Sequence, residues 1–185
     1  MAHPKIACAG WRGTSREVLQ LCEEVGAYIV AKGFILTHGN AAGPDQAFAR
    51  GANRVDPTLV HVYLPWPDYN TKSLHPDNHL ICHFDDDQLP GGSWEQPGNQ
   101  EFLQWAELAR SCHPHPEKCS DGARLLLIRN VGVVQGANQL LAARNLIDHQ
   151  RGGTNHAWRV ADKLKVPSID LSTPEGQARI RSKMR

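Results

Sequence analysis

The 185-residue sequence lacks any apolar run long enough to span a membrane, and its N-terminus lacks the charged-then-apolar layout of a signal peptide. Its formal net charge is only +1, which gives no global reason to expect a nucleic-acid-binding protein. The five cysteines form an odd set, with two in predicted core elements, which favours reduced thiols over a disulfide framework. These absences predict a cytoplasmic protein with no membrane partner.

What the sequence does contain is an alternation of short apolar runs with segments of helical spacing. The early order β-α-β-α-β predicts right-handed crossovers, and therefore an α/β, Rossmann-like parallel sheet of about five strands with helices on both faces. The length suits one domain over residues 1–185, with an irregular insert at about 66–99 after the third strand. The predicted strands cover residues 5–9, 34–37, 59–64, 138–143 and 166–171. The predicted helices cover residues 15–32, 44–53, 100–110, 121–135, 155–165 and 174–183.

Three glycine-rich segments precede predicted helices: AGWRGT at 9–14, HGNAAGPD at 38–45 and RGGTNHAWR at 151–159. Such a loop presents unpaired backbone N–H groups and the positive end of the helix dipole, and glycine allows close approach to a phosphate. Together the three loops indicate a phosphate-bearing ligand. Their candidate ligand-binding residues are Gly10, Trp11, Arg12, Gly39, Asn40, Ala41, Gly43, Asp45, Gly152, Gly153, Thr154, His156 and Arg159.

Side chains of the first two loops allow more than one interpretation. Asp45 can hydrogen-bond a ribose hydroxyl, or it can cap the helix and hold the loop shape. Trp11 can stack on a base, or it can form a partly buried wall. Arg12 is well placed to pair with a phosphate, because a guanidinium offers forked donors.

Two further charged or titratable side chains also leave alternatives open. His156 can contact the ligand or transfer protons, with Arg159 one helical turn further on the same side, or it can face solvent at the helix start. Arg129 lies inside the apolar run 125–134. A charge there either pairs with a carboxylate at the core edge or points into a ligand cleft, so Arg129 is a candidate site residue.

Metal binding is the weaker interpretation of the histidines and cysteines. The residues of zinc-binding type are His75, His79, Cys82, His83, Cys112, His113, His115 and Cys119. Their spacing matches no familiar zinc motif, so we expect surface histidines and no metal or other cofactor. The aspartates at 85–87 indicate a solvated acidic turn. The basic residues at 179–185 indicate a solvated helix end, which is also the local feature that could contact nucleic acid or an acidic partner.

The three glycine loops and Arg129 together resemble the SLOG superfamily of Rossmann-like folds, which includes DNA-processing protein A (DprA) and the Lonely guy phosphoribohydrolases. The matching residues are Gly10, Trp11 and Arg12, the segment GNAAGPDQAFARGA at 39–52, Arg129 and Asn130, and Gly152, Gly153 and Thr154. The stretch from 113 to 167 looks most like the short, stand-alone DprA-like proteins that bacteriophages often encode. The resemblance covers nearly the whole chain apart from its His- and Asp-rich middle.

The resemblance implies a ligand site at the carboxyl edge of the parallel sheet, in agreement with the general rule for open α/β sheets. It also implies a homo-oligomer, because SLOG proteins commonly pair. Members of the superfamily bind nucleotides, nucleotide-derived signals or single-stranded DNA. We therefore expect a protein that binds a nucleotide-derived signalling molecule and senses or sequesters it, with single-stranded DNA as the alternative ligand.

Hydrolysis is the first alternative that the resemblance implies, ahead of single-stranded DNA binding. The phosphoribohydrolases cleave the N-glycosidic bond of nucleoside monophosphates with an arginine and a glutamate. Arg129 matches the first position of their arginine-lysine pair, Asn130 follows it, and the glutamate position holds Ala157. This departure counts against the chemistry, because an oxocarbenium-like transition state needs a carboxylate nearby. Asp45 or Glu101 would have to replace the glutamate, so Arg129 and Asp45 are the candidate catalytic residues.

Overall fold

The computed structural model describes residues 3–82, 93–95, 97–148 and 152–185, and for 93–95 it describes the backbone alone. The strands are β1 (Lys5–Gly10), β2 (Ile35–His38), β3 (Val60–Leu64), β4 (His79–Cys82), β5 (Ser93–Glu95), β6 (Gln139–Ala143) and β7 (Ser168–Asp170). The helices are α1 (Arg16–Ala31), α2 (Pro44–Asn53), α3 (Asn99–Ser111), α4 (Asp121–Val134), α5 (Gly153–Leu164) and α6 (Pro174–Met184). Short 3₁₀ turns lie at Pro57–Leu59, Thr71–Ser73 and Pro116–Lys118.

The described strands form one sheet in the order β5-β4-β3-β2-β1-β6-β7, and all neighbours run parallel. The chain places β2 to β5 successively on one side of β1, and then returns to place β6 and β7 on the other side. The change of direction falls between β1 and β6, where Gly10 is in register with Ala143. Open α/β sheets bind their ligands outside the carboxyl ends of the strands at such a point.

Two apolar cores fill the spaces on the two faces of the sheet. Helices α1, α2 and α6 cover one face, with Leu21, Phe48 and Ile180 among the buried side chains. Helices α3, α4 and α5 cover the other face, where Trp105 and Val131 are buried. The prediction of an α/β parallel sheet with helices on both faces is therefore confirmed.

The helices differ in how they begin. Ser15, Ser120 and Thr173 cap α1, α4 and α6, because each side chain accepts a backbone N–H of the first turn. Helices α2 and α5 instead begin after Gly43 and Gly152, which have positive φ angles of 99° and 92° and offer no capping side chain. Helix α5 also begins two residues earlier than predicted, so the third glycine motif forms its first turn.

The segment predicted as an irregular insert contributes two strands to the sheet. Strands β4 and β5 extend it beyond β3, so the sheet has two strands more than the five that the sequence predicts. Strand β4 has only four residues, and its pairing depends on β3, as in the register of Tyr63 with Ile81. Local periodicity does not contain that information. The features predicted at His83 and at 85–87 lie outside the described residues.

The cysteines agree with the prediction of reduced thiols. All five lie within the described residues, none of them is in a disulfide bond there, and Cys8, Cys22 and Cys82 are buried in core elements. Burial raises the pKa of the Cys8 and Cys22 thiols, which keeps both protonated. None of the helices that the structure describes has both the length and the apolar character needed to cross a bilayer.

Candidate functional site

A cleft of about 260 Å³ opens at the carboxyl edge of the sheet, next to the point where the strand order changes direction. The loops after β1, β2 and β6 and the first turn of α5 enclose it. Ten of the residues predicted for the site line it: Gly10, Trp11, Arg12, Ala41, Asp45, Arg129, Asn130, Gly152, Gly153 and Thr154. The structure therefore brings the three glycine loops and Arg129 to one cleft.

The carboxylate of Asp45 holds two of these loops in place. One oxygen accepts the backbone N–H of Gly10 at 3.0 Å, and the other accepts those of Gly39 and Ala41 at 3.1 and 3.3 Å. The side chain is buried, and Arg129 Nη1 lies 3.7 Å from the same carboxylate. Burial raises the pKa of Asp45, while Arg129 and the three N–H groups oppose that shift. Asp45 therefore holds the loop shape, which is one of its two predicted roles.

Arg129 extends from α4 to the floor of the cleft, by which we mean its buried end. It is 5% exposed, lines the cleft and pairs with Asp45, so it fits both of its predicted placements. A Cβ at Gly39 would overlap the Arg129 guanidinium, so a side chain at that position would displace it. Its Cζ lies 5.7 Å from the centre of the Tyr69 ring. Arg129 Nε has no hydrogen-bond partner among the described residues.

Trp11 and Arg12 form the rim of the cleft after β1. The backbone N–H of Trp11 donates to the carbonyl oxygen of Ala143 at 2.8 Å, which fixes this loop beside β6. The indole covers Gly13, where an added Cβ would meet the ring, and Trp11 is 37% exposed. Arg12 is exposed beside it. The rim thus offers a partly exposed aromatic ring and a positive charge.

Gly39, Asn40 and Gly43 shape the second loop but are not lining residues of the cleft. Asn40 is buried with a φ of 58°, and its side-chain amide donates to the carbonyl oxygens of Tyr69 and Asn70 at 3.2 and 3.1 Å. These hydrogen bonds tie the segment after β3 to the loop after β2. Asn40 therefore positions Tyr69 at the cleft.

His156 and Arg159 lie on the face of α5 that packs against α3, away from the cleft. His156 is 0% exposed, and its Nε2 donates to the carbonyl oxygen of Ala109 at 2.9 Å. Arg159 Nε donates to the carbonyl oxygen of Cys112 at 2.6 Å. The two side chains do share one side of the helix, but neither lines the cleft, and Arg159 is only partly buried. Burial lowers the pKa of His156 to about 4, so the imidazole is neutral.

Sequence reasoning missed five residues of the cleft wall, which are Ala9, Tyr69, Leu126, Asn145 and Asn155. Asn145 follows β6 at the carboxyl edge, and Asn155 lies inside the third glycine motif, so position alone could have identified both. Asn155 accepts a hydrogen bond from Arg144 Nε at 3.0 Å and donates to the carbonyl oxygen of Asp148 at 2.8 Å, which ties α5 to the loop after β6. Tyr69 has no such signal, because it lies in the aperiodic stretch after β3.

Asp45 is the one carboxylate among the described residues that line the cleft. Glu101 instead lies beside a separate cavity at the amino edge of the sheet, together with Lys5 and Gln135. Ala157 is buried in the core beside the sheet. The structure therefore does not bring Glu101 to the place of the glutamate that the phosphoribohydrolases use.

The zinc-binding residue types do not gather in the described part of the chain. No three His, Cys, Asp or Glu side chains there form a group that could hold a metal ion. His113 and Cys119 do meet, with Sγ 3.7 and 3.8 Å from the two ring nitrogens. His75 lies 3.7 Å from Asp77. Neither pair belongs to the cleft.

Solved structures with a similar fold come from two groups of proteins. The molybdenum cofactor binding protein from Rippkaea orientalis aligns with a TM-score of 0.53 and 18% identity, covering 100% of this chain and 86% of that chain. The Moco carrier protein from Chlamydomonas reinhardtii aligns with a TM-score of 0.51 and 20% identity over 98% of this chain and 85% of that chain. DNA processing protein A from Helicobacter pylori, solved for its single-stranded DNA binding mode, aligns with a TM-score of 0.55 and 16% identity over 97% of this chain and 72% of that chain.

These comparisons show the fold. No protein-family model matches the sequence, and no curated protein matches it either. The chain has the Rossmann-like fold of DprA and of the molybdenum cofactor carrier proteins, so the resemblance that the sequence shows to DprA extends to the fold.

Proposed function

We propose that the protein binds a nucleotide, or another small molecule that carries a phosphate, in the cleft at the carboxyl edge of the sheet. It would thereby sense or sequester that molecule. The observation that carries the proposal is Arg129, a buried cation at the cleft floor whose Nε lacks a protein partner among the described residues. A buried donor of this kind favours an acceptor supplied by a ligand.

The surroundings of Arg129 strengthen its attraction for an anion. Asp45, the carboxylate beside it, also accepts hydrogen bonds from three backbone N–H groups. Its negative charge is shared among these donors, so it neutralises Arg129 only in part. Helix α5 begins at the cleft after Gly152, without a capping side chain and with the positive end of its dipole at this edge. Arg12 adds a second positive charge at the rim.

The size of the cleft favours a small ligand. Its volume of about 260 Å³ is slightly below the usual range of roughly 300–1,000 Å³ for small-molecule sites, so part of a nucleotide would extend past the rim. Trp11 and Leu126 supply apolar surface on which a planar ring could rest. A small-molecule ligand is also consistent with the molybdenum cofactor that two proteins of the same fold bind.

Binding is better supported than N-glycosidic hydrolysis. Both oxygens of Asp45 are engaged by backbone N–H groups, which leaves this carboxylate poorly placed to stabilise a transition state. Glu101 lies at the amino edge, and Ala157 occupies the family's glutamate position in the core. The cleft therefore has the means to hold a phosphate, but it lacks a second carboxylate among the described residues.

The test is a panel of ligands offered to the purified protein, with thermal shift and mass spectrometry as the two measurements. The panel contains nucleoside monophosphates, dinucleotides, cyclic ADP-ribose and molybdenum cofactor. We expect at least one compound to be retained intact and to raise the melting temperature. Arg129→Gln should weaken its binding by about tenfold or more, since hydrogen bonds to charged groups contribute about 1.5–3 kcal/mol.

The matched control is Arg124→Gln, which changes an exposed arginine on the same helix that pairs with Asp121. It should bind like the parent protein. If no compound in the panel is retained or raises the melting temperature, the proposal is wrong. Release of free base from a nucleoside monophosphate, lost in Arg129→Gln, would establish hydrolysis instead.

A further inference from the structure

Three buried polar atoms near the cleft floor have no hydrogen-bond partner within the described part of the chain. They are Arg129 Nε, the Tyr69 hydroxyl and His38 Nε2. Tyr69 is 8% exposed, and His38 is 1% exposed. Buried polar groups without partners are uncommon in native proteins, so a group of them needs an explanation.

All three atoms carry hydrogen-bond donors. His38 Nδ1 accepts the backbone N–H of Asn40 at 3.0 Å, so the proton of the neutral ring is on Nε2. Burial and the charge of Arg129 lower the pKa of His38 to about 3, which keeps the ring neutral. Arg129 Nε–H donates only. The Tyr69 hydroxyl oxygen lies toward the Arg129 guanidinium and favours its charge, while the hydroxyl proton has no acceptor among the described residues. The floor thus holds donors that lack acceptors.

These donors also lie close to one another. Arg129 and Tyr69 both line the cleft, with Arg129 Cζ 5.7 Å from the centre of the Tyr69 ring. His38 directly precedes Gly39, whose backbone lies so close to the Arg129 guanidinium that an added Cβ there would overlap it. Asn40 joins the two segments, since its backbone N–H reaches His38 and its side chain reaches the Tyr69 carbonyl.

We infer that Arg129, Tyr69 and His38 form an oxyanion subsite that receives the terminal phosphate of the ligand, a phosphomonoester. This inference rests on the proposed function and specifies which chemical group the cleft floor recognises. The cleft has a volume of about 260 Å³, so only one end of a nucleotide fits inside it and the rest extends past the rim. A phosphomonoester has one substituent, which can point to the rim. An internal phosphodiester has two and does not fit that geometry.

The test asks whether the Tyr69 hydroxyl binds the ligand or stabilises the fold. The two roles predict different melting temperatures when the hydroxyl is removed. Tyr69→Phe keeps the ring that contacts Trp66 and Arg129, and it removes the hydroxyl alone. We expect the melting temperature of the ligand-free protein to change little, because the hydroxyl proton has no acceptor among the described residues. Binding of a nucleoside 5′-monophosphate should weaken about tenfold, because a donor to a charged group is lost.

The matched control is Tyr28→Phe. The Tyr28 hydroxyl donates to the Lys183 carbonyl oxygen at 2.6 Å, far from the cleft. This variant should melt at a lower temperature than the parent and bind the monophosphate equally well. A lowered melting temperature with unchanged binding in Tyr69→Phe would overturn the subsite.

Four related ligands show whether the protein recognises the phosphate or the rest of the nucleotide. Titrations use inorganic phosphate, the 5′-monophosphate, the nucleoside without phosphate and the 3′,5′-cyclic nucleotide. We expect inorganic phosphate to bind and to compete with the monophosphate, and the nucleoside and the cyclic diester to bind weakly. If a panel compound binds in an Arg129-dependent way while Tyr69→Phe is neutral and phosphate does not compete, the subsite is wrong and the proposed function stands. If no compound binds, both are wrong.

Discussion

Two buried histidines show how the fold sets the charge of individual side chains. His38 and His156 both have their pKa lowered by burial, to about 3 and about 4. In an unfolded chain the pKa of histidine is about 6.5. Between these values the unfolded chain binds protons that the folded protein excludes, so the free energy of unfolding falls as the pH falls. Acid therefore destabilises this protein before its carboxylates titrate.

We expect His156→Gln to reduce that pH dependence. Each buried histidine contributes a slope of up to about 1.4 kcal/mol per pH unit between its unfolded and folded pKa. Urea unfolding measured from pH 7.5 to 4.5 should therefore give a shallower slope for this variant. His115→Gln, at a histidine whose side chain is 61% exposed, serves as the control and should follow the parent protein. Equal slopes for the parent and His156→Gln would contradict the buried, neutral imidazole.

For individual side chains, the sequence identifies which residues belong to the site better than it predicts what each of them contacts. Arg129 could be identified because a charge inside an apolar run needs a partner, and the structure provides Asp45. His156 could not be placed, because helical spacing tells which residues share a side but not what that side meets. Tyr69 lies at the cleft only because Asn40, distant in sequence, binds its carbonyl oxygen.

Among the elements, α1 and α2 pack unusually closely. A Cβ at Gly26 would overlap the carbonyl oxygen of Phe48, and one at Gly51 would overlap that of Glu23. These glycines let the two helices approach backbone to backbone. That contact helps to hold α2, and with it the second glycine loop, at the edge of the cleft.

Gly51→Ala should destabilise the protein, because the added methyl group has no space between the helices. Overpacking typically costs about 1–3 kcal/mol. Gly122→Ala is the matched control, since Gly122 is also helical and has no neighbour within 4 Å of an added Cβ. That control should stabilise α4 by up to about 1 kcal/mol through helix propensity. Urea unfolding measures the free energy of unfolding of both variants, which should fall for Gly51→Ala and rise for Gly122→Ala. A Gly51→Ala protein as stable as the parent would disprove the close approach of α1 and α2.

The sequence predicts elements well where the signal is local. Helix α2 begins and ends at its predicted residues, because Pro44 and Asp45 mark its first turn and its apolar spacing is regular. Strand β4 was missed because four residues carry too little pattern, and its register is determined by β3. Strand β5 is shorter still and depends on β4 in turn.

On the scale of the whole molecule, two groups of basic side chains lie at opposite edges of the sheet. Arg12 and Arg129 lie at the cleft, whereas the basic end of α6 lies at the amino edge, where Lys183 Nζ is 3.3 Å from Gln139 at the start of β6. The predicted contact of this basic end with nucleic acid would therefore not extend into the cleft. A homo-oligomer stays a prediction, and light scattering would measure it.

Charge at the rim should accelerate ligand binding, and charge at the amino edge should not. We expect Arg12→Gln to lower the association rate of the monophosphate and to weaken its salt dependence. Arg179→Gln, at the exposed basic end of α6, is the control and should leave both unchanged. Stopped-flow titrations at two salt concentrations measure the difference. If both variants slow association equally, the two groups of basic side chains do not act separately. Steeply salt-dependent binding of single-stranded DNA would favour DNA as the ligand.

The pairing of β1 with β6 has a consequence for how the protein is made. Strands β1 to β3 and helices α1 and α2 form one contiguous stretch of chain, so much of one core is complete before Gln139 is synthesised. The cleft is not, because the loop after β6 and the start of α5 supply a third of its lining residues. A nascent chain on the ribosome therefore gains its complete ligand site only after the first turn of α5 has been synthesised, and ligand can stabilise the protein only from that moment on.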